Sequence, residues 1–427
     1  MSEDIDVLVG GFGALQGSHS PGIEWYVLHL GHTGHADYVG RAGHMGRTDS
    51  ADSADSAGYA GPAIHAAADV PGVSLERAGL LSDLPSPSWL ERDGDMVYAV
   101  LENSDELAAL RLTRVGGEPR LELVSRVPVP SAGPTHVTVA VDDRGARHAI
   151  VACYVGGAVC VFPIGDGGGL GEVAQVLHGE GHGPLPAQEG PHAHWALALP
   201  DGRVLSTDLG ADRIHVHRWR DGVLVRVGSV VFAPGTGPRD MHLLPSRDGA
   251  WRVAVVGEWG DTVTVLGPCS GEPETGGIGV LDTVDLGGDD GDQAASLAFV
   301  PDGGDGRGGA DLDGIAGVGR DGASGVDRGA ESGMVYVGLR GSERIVALHW
   351  DGSRLHRLAD AGKPGWRGRG VSSGGSLPRH LCAVGRVVIA ANEVSDDLTV
   401  FRIAFDGEPV RCLTLHAGSP TTVLPLD

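Results

Sequence analysis

The chain has almost no lysine. Lys363 is the single one among 427 residues, and arginine carries nearly all the positive charge. Basic residues number 32 against 56 acidic ones, a formal charge of −24. A nucleic-acid or anionic-membrane partner is excluded, because such surfaces call for a basic face. An anionic small substrate would need a local cluster of Arg and His to overcome the overall field. Cysteine is scarce and scattered: Cys153, Cys160, Cys269, Cys382 and Cys412 make no CxxC spacing. An odd, dispersed set reads as reduced thiols in a cytoplasmic protein. Long apolar runs are missing, and the start, MSEDIDVLVGG, is acidic where a secretory leader would be basic. There is no GxxxxGK[ST], HExxH, GxSxG or Cys/His zinc pattern. A phosphate cradle, a zinc hydrolase and an elbow-serine esterase are therefore disfavoured.

What the chain has in abundance is glycine, 71 residues of it, together with short apolar runs bounded by Gly, Pro and Asp. The stretch Pro191–Trp219, PHAHWALALPDGRVLSTDLGADRIHVHRW, holds three such runs and two tight turns. Its runs are too short and too sharply punctuated for helices, and they read as an antiparallel meander. The pattern returns in Pro134–Pro163, Pro238–Leu266 and Pro378–Ile403, and in weaker form in Pro87–Leu112 and Ala295–Trp350. One further apolar segment lies between meanders, such as Glu172–Leu177 or Val223–Val231. Each unit thus holds four strands, and the starts at Pro87, Pro134, Pro191 and Pro238 are spaced by 47, 57 and 47 residues. Four-stranded repeats of this length predict an all-β, seven-bladed β-propeller.

The count of seven depends on the two ends. Asp4–Gly11 and Gly22–Leu30 read as strands with no inner strand before them, and Val73–Leu81 as the outer strand of the same unit. The tail Pro420-Thr421-Thr422-Val423 copies the unit start Pro134-Thr135-His136-Val137. N- and C-terminal strands in one blade would close the ring and remove its exposed edges. Residues 1–427 are thus one domain, with flexible inserts expected at about 31–70, 302–333 and 363–375, where Gly, Ser and Asp replace any apolar period.

In a meander the start of the first strand lies beside the end of the second, at one mouth of the ring. First-strand starts supply His192, His194, Arg239, Arg379 and His380. Second-strand ends supply Glu102, Tyr154, Glu258, Arg340 and Glu393, with Asp208 offset by one. Acids, arginines and histidines should therefore converge on one channel opening. His215 and His217 alternate on an outer strand and read as surface residues, and Asp212 reads as a turn cap.

At these residues the chain resembles the seven-bladed propeller lactonase family, which contains the propeller-type 6-phosphogluconolactonases and the fungal carboxy-cis,cis-muconate cyclase. The resemblance rests on PHAHWALALPDGRVLSTDLGADRIHVHRW, YVGGAVCVFP at Tyr154–Pro163, Gly237-Pro238-Arg239, the Arg340-Gly341 turn and Pro378-Arg379-His380. It implies a site made of His192 or His194, Arg239, Glu258 and Arg340. Asp240 stands where the family usually has His, and the sixth unit departs from the usual start.

The implied reaction is hydrolysis of a sugar lactone such as 6-phosphogluconolactone, on a small anionic or sugar-lactone substrate, with no cofactor and no metal. Catalysis would fall to His192, His194, Arg239, Glu258 and Arg340; substrate binding would fall to Tyr154, Asp208, Arg379 and His380. Glu258 or a PHxH histidine would be the base, a PHxH histidine the proton donor, and the two arginines the anion holders. Competing readings are a muconate-type lactonising enzyme, a non-catalytic propeller that binds a metabolite or protein, and a metal-dependent lactonase using Glu102, Glu258, Asn392 and Glu393.

Overall fold

Seven sheets of antiparallel strands are arranged as the repeat predicts in the computed structural model, which describes residues 3–31, 72–270, 273–302, 331–358 and 369–426. The expected inserts at 31–70 and 302–333 lie almost wholly outside the described residues, as do residues 363–368 of the third. That last stretch is not all loop: Val371–Ser372 is a short strand paired with the third strand of its blade.

Blade one is built from both ends of the sequence, in the order Pro420–Pro425, Glu3–Gly11, Ile23–Leu30, Val73–Ser82. Val7 to Gly11 pair with Pro425 to Pro420, and the amide of Leu426 donates to the Asp6 carbonyl at 2.8 Å. The ring is sealed as the copied tail motif predicts, and blade one gains the inner strand that its N-terminal strands lack. Blades two to five begin with inner strands Pro87–Asp93, Pro134–Val141, Ala193–Ala198 and Pro238–Leu244; blades six and seven begin with Ala294–Pro301 and Pro378–Val384.

Why these runs form buried strands is visible in their composition. The second strands Met96–Leu101 and Val204–Asp208 are buried at every position. A strand covered on both faces carries an unbroken apolar or small-residue run and not an alternating one. The fourth strands face solvent and alternate, as in Glu118–Pro128. Large side chains fill the wedges between blades: Tyr98, Phe162, Tyr336, Trp350 and Phe401 are among the fully buried. Burying such a side chain contributes roughly 1.5–3 kcal/mol. The polar ends also reach partners, as the Tyr98 hydroxyl donates to the Gly168 carbonyl at 3.0 Å and the Tyr336 hydroxyl to that of Gly407 at 2.8 Å.

Two recurring devices aim the inner strands. The first is a β-bulge near the start of every inner strand. Pairing with the second strand skips from Pro87 to Trp89, Pro134 to His136, Ala193 to Ala196, Pro238 to Asp240, Ala294 to Leu297 and Pro378 to His380. In blade one Thr421 is skipped between Pro420 and Thr422. A bulge leaves its extra residue unpaired and re-aims the side chain.

The second device is a left-handed residue in the turn after the second strand. Asp105, Asp212 and Asp396 have φ of 51°, 52° and 55°. Asp tolerates this region because its carboxylate bonds backbone locally. Each carboxylate here accepts from the loop that enters the next blade. The donors are the amides of Gly133 for Asp105 (2.7 Å), Gly235 and Gly237 for Asp212 (both 2.7 Å) and Ser419 for Asp396 (2.8 Å). Asp212 is thus the turn cap the sequence predicts, and it also clamps the loop ahead of Arg239.

Candidate active site

The bulges converge on the centre of the ring. Ser88, Thr135, His194, Arg239, Ser296, Arg379 and Thr421, one from each blade, line one small cavity of about 20 Å³, room for about one water molecule. Trp89, Glu102, Trp195, Asp240 and His380 complete its wall. Blade bonds its neighbour: bulge residues Thr421 and Thr135 donate from Oγ1 to the Ser88 (2.8 Å) and His194 (3.1 Å) carbonyls, and Thr207 of a second strand donates to that of Arg239 (3.2 Å). Arg239 Nη1 donates to the Ala295 carbonyl. The cavity wall is therefore a stitched backbone ring, a rigid support for side chains that must hold their geometry.

Behind the bulge ring lies an aromatic plug. His136 stacks on Trp195 with centroids 3.7 Å apart, and Trp89 meets Trp195 edge-on at 4.5 Å and His380 at 5.0 Å. His380 is part of this wall: its Nδ1 accepts the Val423 amide at 3.1 Å.

Three guanidiniums and their carboxylates surround the cavity. Arg239 Nε lies 3.0 Å from Glu258 Oε2, and Arg340 Nη2 lies 2.6 Å from Glu258 Oε1. Glu258 thus bridges two arginines from adjacent blades. Arg379 Nη1 pairs with Glu393 Oε2 at 2.9 Å and its guanidinium sits 4.7 Å from the Phe12 ring centroid. Burial, reinforced by Arg340, holds the Arg239 guanidinium down to about 10. Burial also acts against the charge on Arg379, but Glu393 and Glu102 outweigh it and raise that group.

His194 and Glu102 are pushed in opposite directions. Burial, aided by the Arg239 charge, holds the His194 imidazole well below its ordinary range, so it is neutral at pH 7. Its Nδ1 is buried and has no hydrogen-bond partner among the described residues. Burial raises the Glu102 carboxyl, against the opposing pull of Arg379 and the Ser88 hydroxyl. One cavity thus holds a neutral imidazole beside a carboxyl biased toward its protonated form.

The remaining expectations are placed differently. His192 stands on the rim and its ring stacks on Tyr154 at 4.5 Å, with Nδ1 2.9 Å from the Tyr154 carbonyl. Neither residue belongs to the cavity wall, though burial and the nearby Glu258 raise the Tyr154 phenol. Glu258 and Arg340 reach the cavity through Arg239. Asp208 does not reach it: its Oδ1 accepts the amides of His192 and Ala211, both at 3.0 Å. The expected substrate contact there is corrected to a backbone cap beneath the PHxH turn.

His215 and His217 are not surface residues either, being 5% and 0% exposed. His215 lies 3.5 Å from Asp208 and bonds Ser229, while His217 bonds Ser206 at 2.9 Å. The third strand of the blade is covered on both faces, so alternation with polar residues does not mark exposure there. The four possible metal ligands also part company. Glu258 and Glu393 are held by arginines, and Asn392 Nδ2 donates to Asp397 at 2.7 Å. Among the described residues no three His, Cys, Asp or Glu side chains gather closely enough to hold a metal ion.

The sequence model of the family described as "Lactonase, 7-bladed beta-propeller" matches residues 64–425. The chain belongs to this lactonase family. The 6-phosphogluconolactonase of Bacillus subtilis (strain 168) is 31% identical over 207 residues, 47% of this chain and 57% of that protein. A fungal relative from Arthroderma benhamiae is 33% identical over 192 residues, 43% of this chain and 47% of its own length. The matched part of the chain thus spans about half the length of these curated relatives. The solved periplasmic gluconolactonase of Pseudomonas aeruginosa has a TM-score of 0.68 at 23% identity, covering 100% of this chain and 99% of the other. A Lactobacillus plantarum protein has a TM-score of 0.67 at 20% identity with 100% of both chains covered. These two likenesses concern the fold. No helix among the described residues is long and apolar enough to cross a membrane.

Proposed function

We propose that this member of the lactonase family hydrolyses a sugar lactone to the open-chain acid. The observation that carries the reading is the neutral His194, with its free Nδ1, in the same cavity as the Arg239 and Arg379 guanidiniums. Lactone hydrolysis needs an activated water, a stabilised carbonyl oxyanion and a proton for the departing ring oxygen. His194 takes the proton from the attacking water. Arg239, held by Glu258 and Arg340, and Arg379, held by Glu393, stabilise the oxyanion. Glu102, which burial biases toward its protonated form, supplies the proton to the leaving alkoxide. His194 is favoured over His192, whose Nδ1 is directed at the Tyr154 carbonyl. The named activity of the Bacillus subtilis relative supports the reaction class. A cytoplasmic setting is part of the proposal, supported by five free cysteines.

A panel of lactones, followed by acid release and corrected for spontaneous opening, tests the reading. Arg239→Ala and Glu258→Gln should each lower kcat/KM by roughly 10²–10³, the cost of one oxyanion contact. Wild-type rates in both variants would remove these assignments, and no turnover of any lactone would remove the activity.

A further inference from the structure

We infer that the central cavity seats a single water, the one that attacks the lactone, and that the sugar ring stays outside at the mouth. The inference rests on the lactonase reading and says where its two reactants stand.

The first support is size. The cavity of about 20 Å³ exceeds the roughly 10–15 Å³ that one water needs and leaves little for a second. Sites that enclose small organic ligands run to about 300–1,000 Å³, so no lactone ring enters.

The second support is the polar lining. A buried water persists where about two to four polar groups meet it, whereas apolar space stays dry. His194 Nδ1 and Ser88 Oγ are buried with no hydrogen-bond partner among the described residues. The Thr135 and Thr421 hydroxyls donate to backbone carbonyls and keep lone pairs with which to accept. All four residues line the cavity. A water there satisfies groups that are costly to leave dry and unmatched.

The third support is direction. His194 is neutral, so in the tautomer protonated at Nε2 its Nδ1 accepts a hydrogen bond from the water and leaves the oxygen lone pairs for an electrophile. The plug of His136, Trp89 and Trp195 stands behind the bulge ring, so a carbonyl carbon approaches from the mouth. As the water oxygen bonds that carbon, one water proton passes to His194 Nδ1 and the carbonyl electrons become the oxyanion. The ring C–O bond then breaks and its oxygen takes the Glu102 proton. The imidazolium gives its proton to solvent and Glu102 regains one, which restores the site.

Ser88 and Ser296 hold bulge places that Thr135 and Thr421 hold elsewhere in the ring. Ser88→Thr and Ser296→Thr each add a methyl group at the cavity in a side chain the fold already accepts there. A high-resolution crystal structure of the full-length protein should show one ordered water within hydrogen-bonding distance of His194 Nδ1. The double variant should displace it and lower kcat, on a lactone the wild type turns over, by about ten-fold or more with KM within about two-fold. If the double variant does not fold, the single variants carry the test, and kcat should follow the water through them. A dry cavity in the wild type, or product acid soaked into the crystals and seated inside the bulge ring, overturns the inference while leaving the lactonase reading in place. So does a variant that loses the water and keeps its kcat, or keeps the water and loses its kcat. Turnover of no lactone by the wild type removes the lactonase reading, and the inference falls with it.

Discussion

The carboxylate of Asp212 accepts the amide of Gly237 at 2.7 Å, two residues ahead of the arginine that dominates the cavity. The same carboxylate takes the Gly235 amide at 2.7 Å and Gln188 Nε2 at 2.9 Å. Gly237 has φ of 61°, and a Cβ there would stand 2.4 Å from the Trp259 ring, so the loop has one conformation to be held in. The clamp reaches from blade four to the first residues of blade five and fixes where Arg239 begins.

Removing the clamp should therefore act on both stability and turnover. Asp212→Ala leaves three donors without their acceptor, at roughly 1–3 kcal/mol for each that stays dry. Chemical denaturation should show a loss of about 2–4 kcal/mol, with kcat reduced and the reaction still measurable. Asp212→Asn, which keeps one acceptor oxygen, should recover part of both. A variant as stable and active as wild type would contradict the clamp.

The opposed environments of Glu102 and His194 predict a pH signature. His194 is held neutral far below pH 7, so the proposed base stays competent across the working range. Glu102 is raised, and its proposed role as acid ends when it ionises, so kcat should fall on the alkaline side. Glu102→Gln should lower kcat by about 10²–10³ and remove that alkaline fall, after correction for hydroxide-driven opening. An alkaline limb that persists in the variant belongs to another group.

Asp261 occupies in blade five the position held by Asp212 in blade four, with φ of 45°. Its Oδ1 is buried with no hydrogen-bond partner among the described residues. The corresponding loop is instead held by Asp292, whose Oδ1 accepts the amides of Gln293 (3.0 Å), Gly341 (2.8 Å) and Ser342 (3.1 Å). Burial, then the Asp292 charge, push Asp261 up to about 6 from an ordinary 3.8. A carboxyl raised by folding favours the fold while protonated, and that contribution is lost as pH rises from about 4 through about 6. Asp261→Asn should therefore stabilise the protein at pH 8 by on the order of 1 kcal/mol, after allowance for solvent screening, and have little effect near pH 4. Equal stabilisation at both pH values would refute the linkage.

Deleting the strand Pro420–Pro425 should be far more damaging than its six residues suggest. It supplies Thr421 to the cavity and is the hydrogen-bonded neighbour of Glu3–Gly11. The truncated protein should lose its cooperative unfolding transition and self-associate through the freed edge. A monomeric, cooperatively folded truncation would show that closure does not depend on this strand.

Much of this was legible in the sequence, because strands buried on both faces leave unbroken apolar runs and the turns between them leave Gly, Pro and Asp. The blade number followed from the likeness between Pro420–Val423 and Pro134–Val137. Arg239, Glu258 and Arg340 were located by lining up strand ends, and they meet within hydrogen-bonding distance. The bulges were not legible: a single skipped residue leaves no trace in an apolar pattern. That is why Ser88, Thr135, Ser296 and Thr421 were missed. Their only signal was their place one or two residues after the start of each unit. Asp208 was assigned to substrate for a related reason. The bulge in blade four skips two residues, so Asp208 pairs with Ala193 and turns to the backbone.

Sharing one blade between opposite ends of the chain has a temporal cost. The hairpin Glu3–Leu30 leaves the ribosome well before its inner partner Pro420–Pro425. At about 5–20 residues per second the wait is on the order of 20–80 seconds. Throughout it the nascent hairpin exposes an unsatisfied flank, so escort by a chaperone should matter more during synthesis than after release.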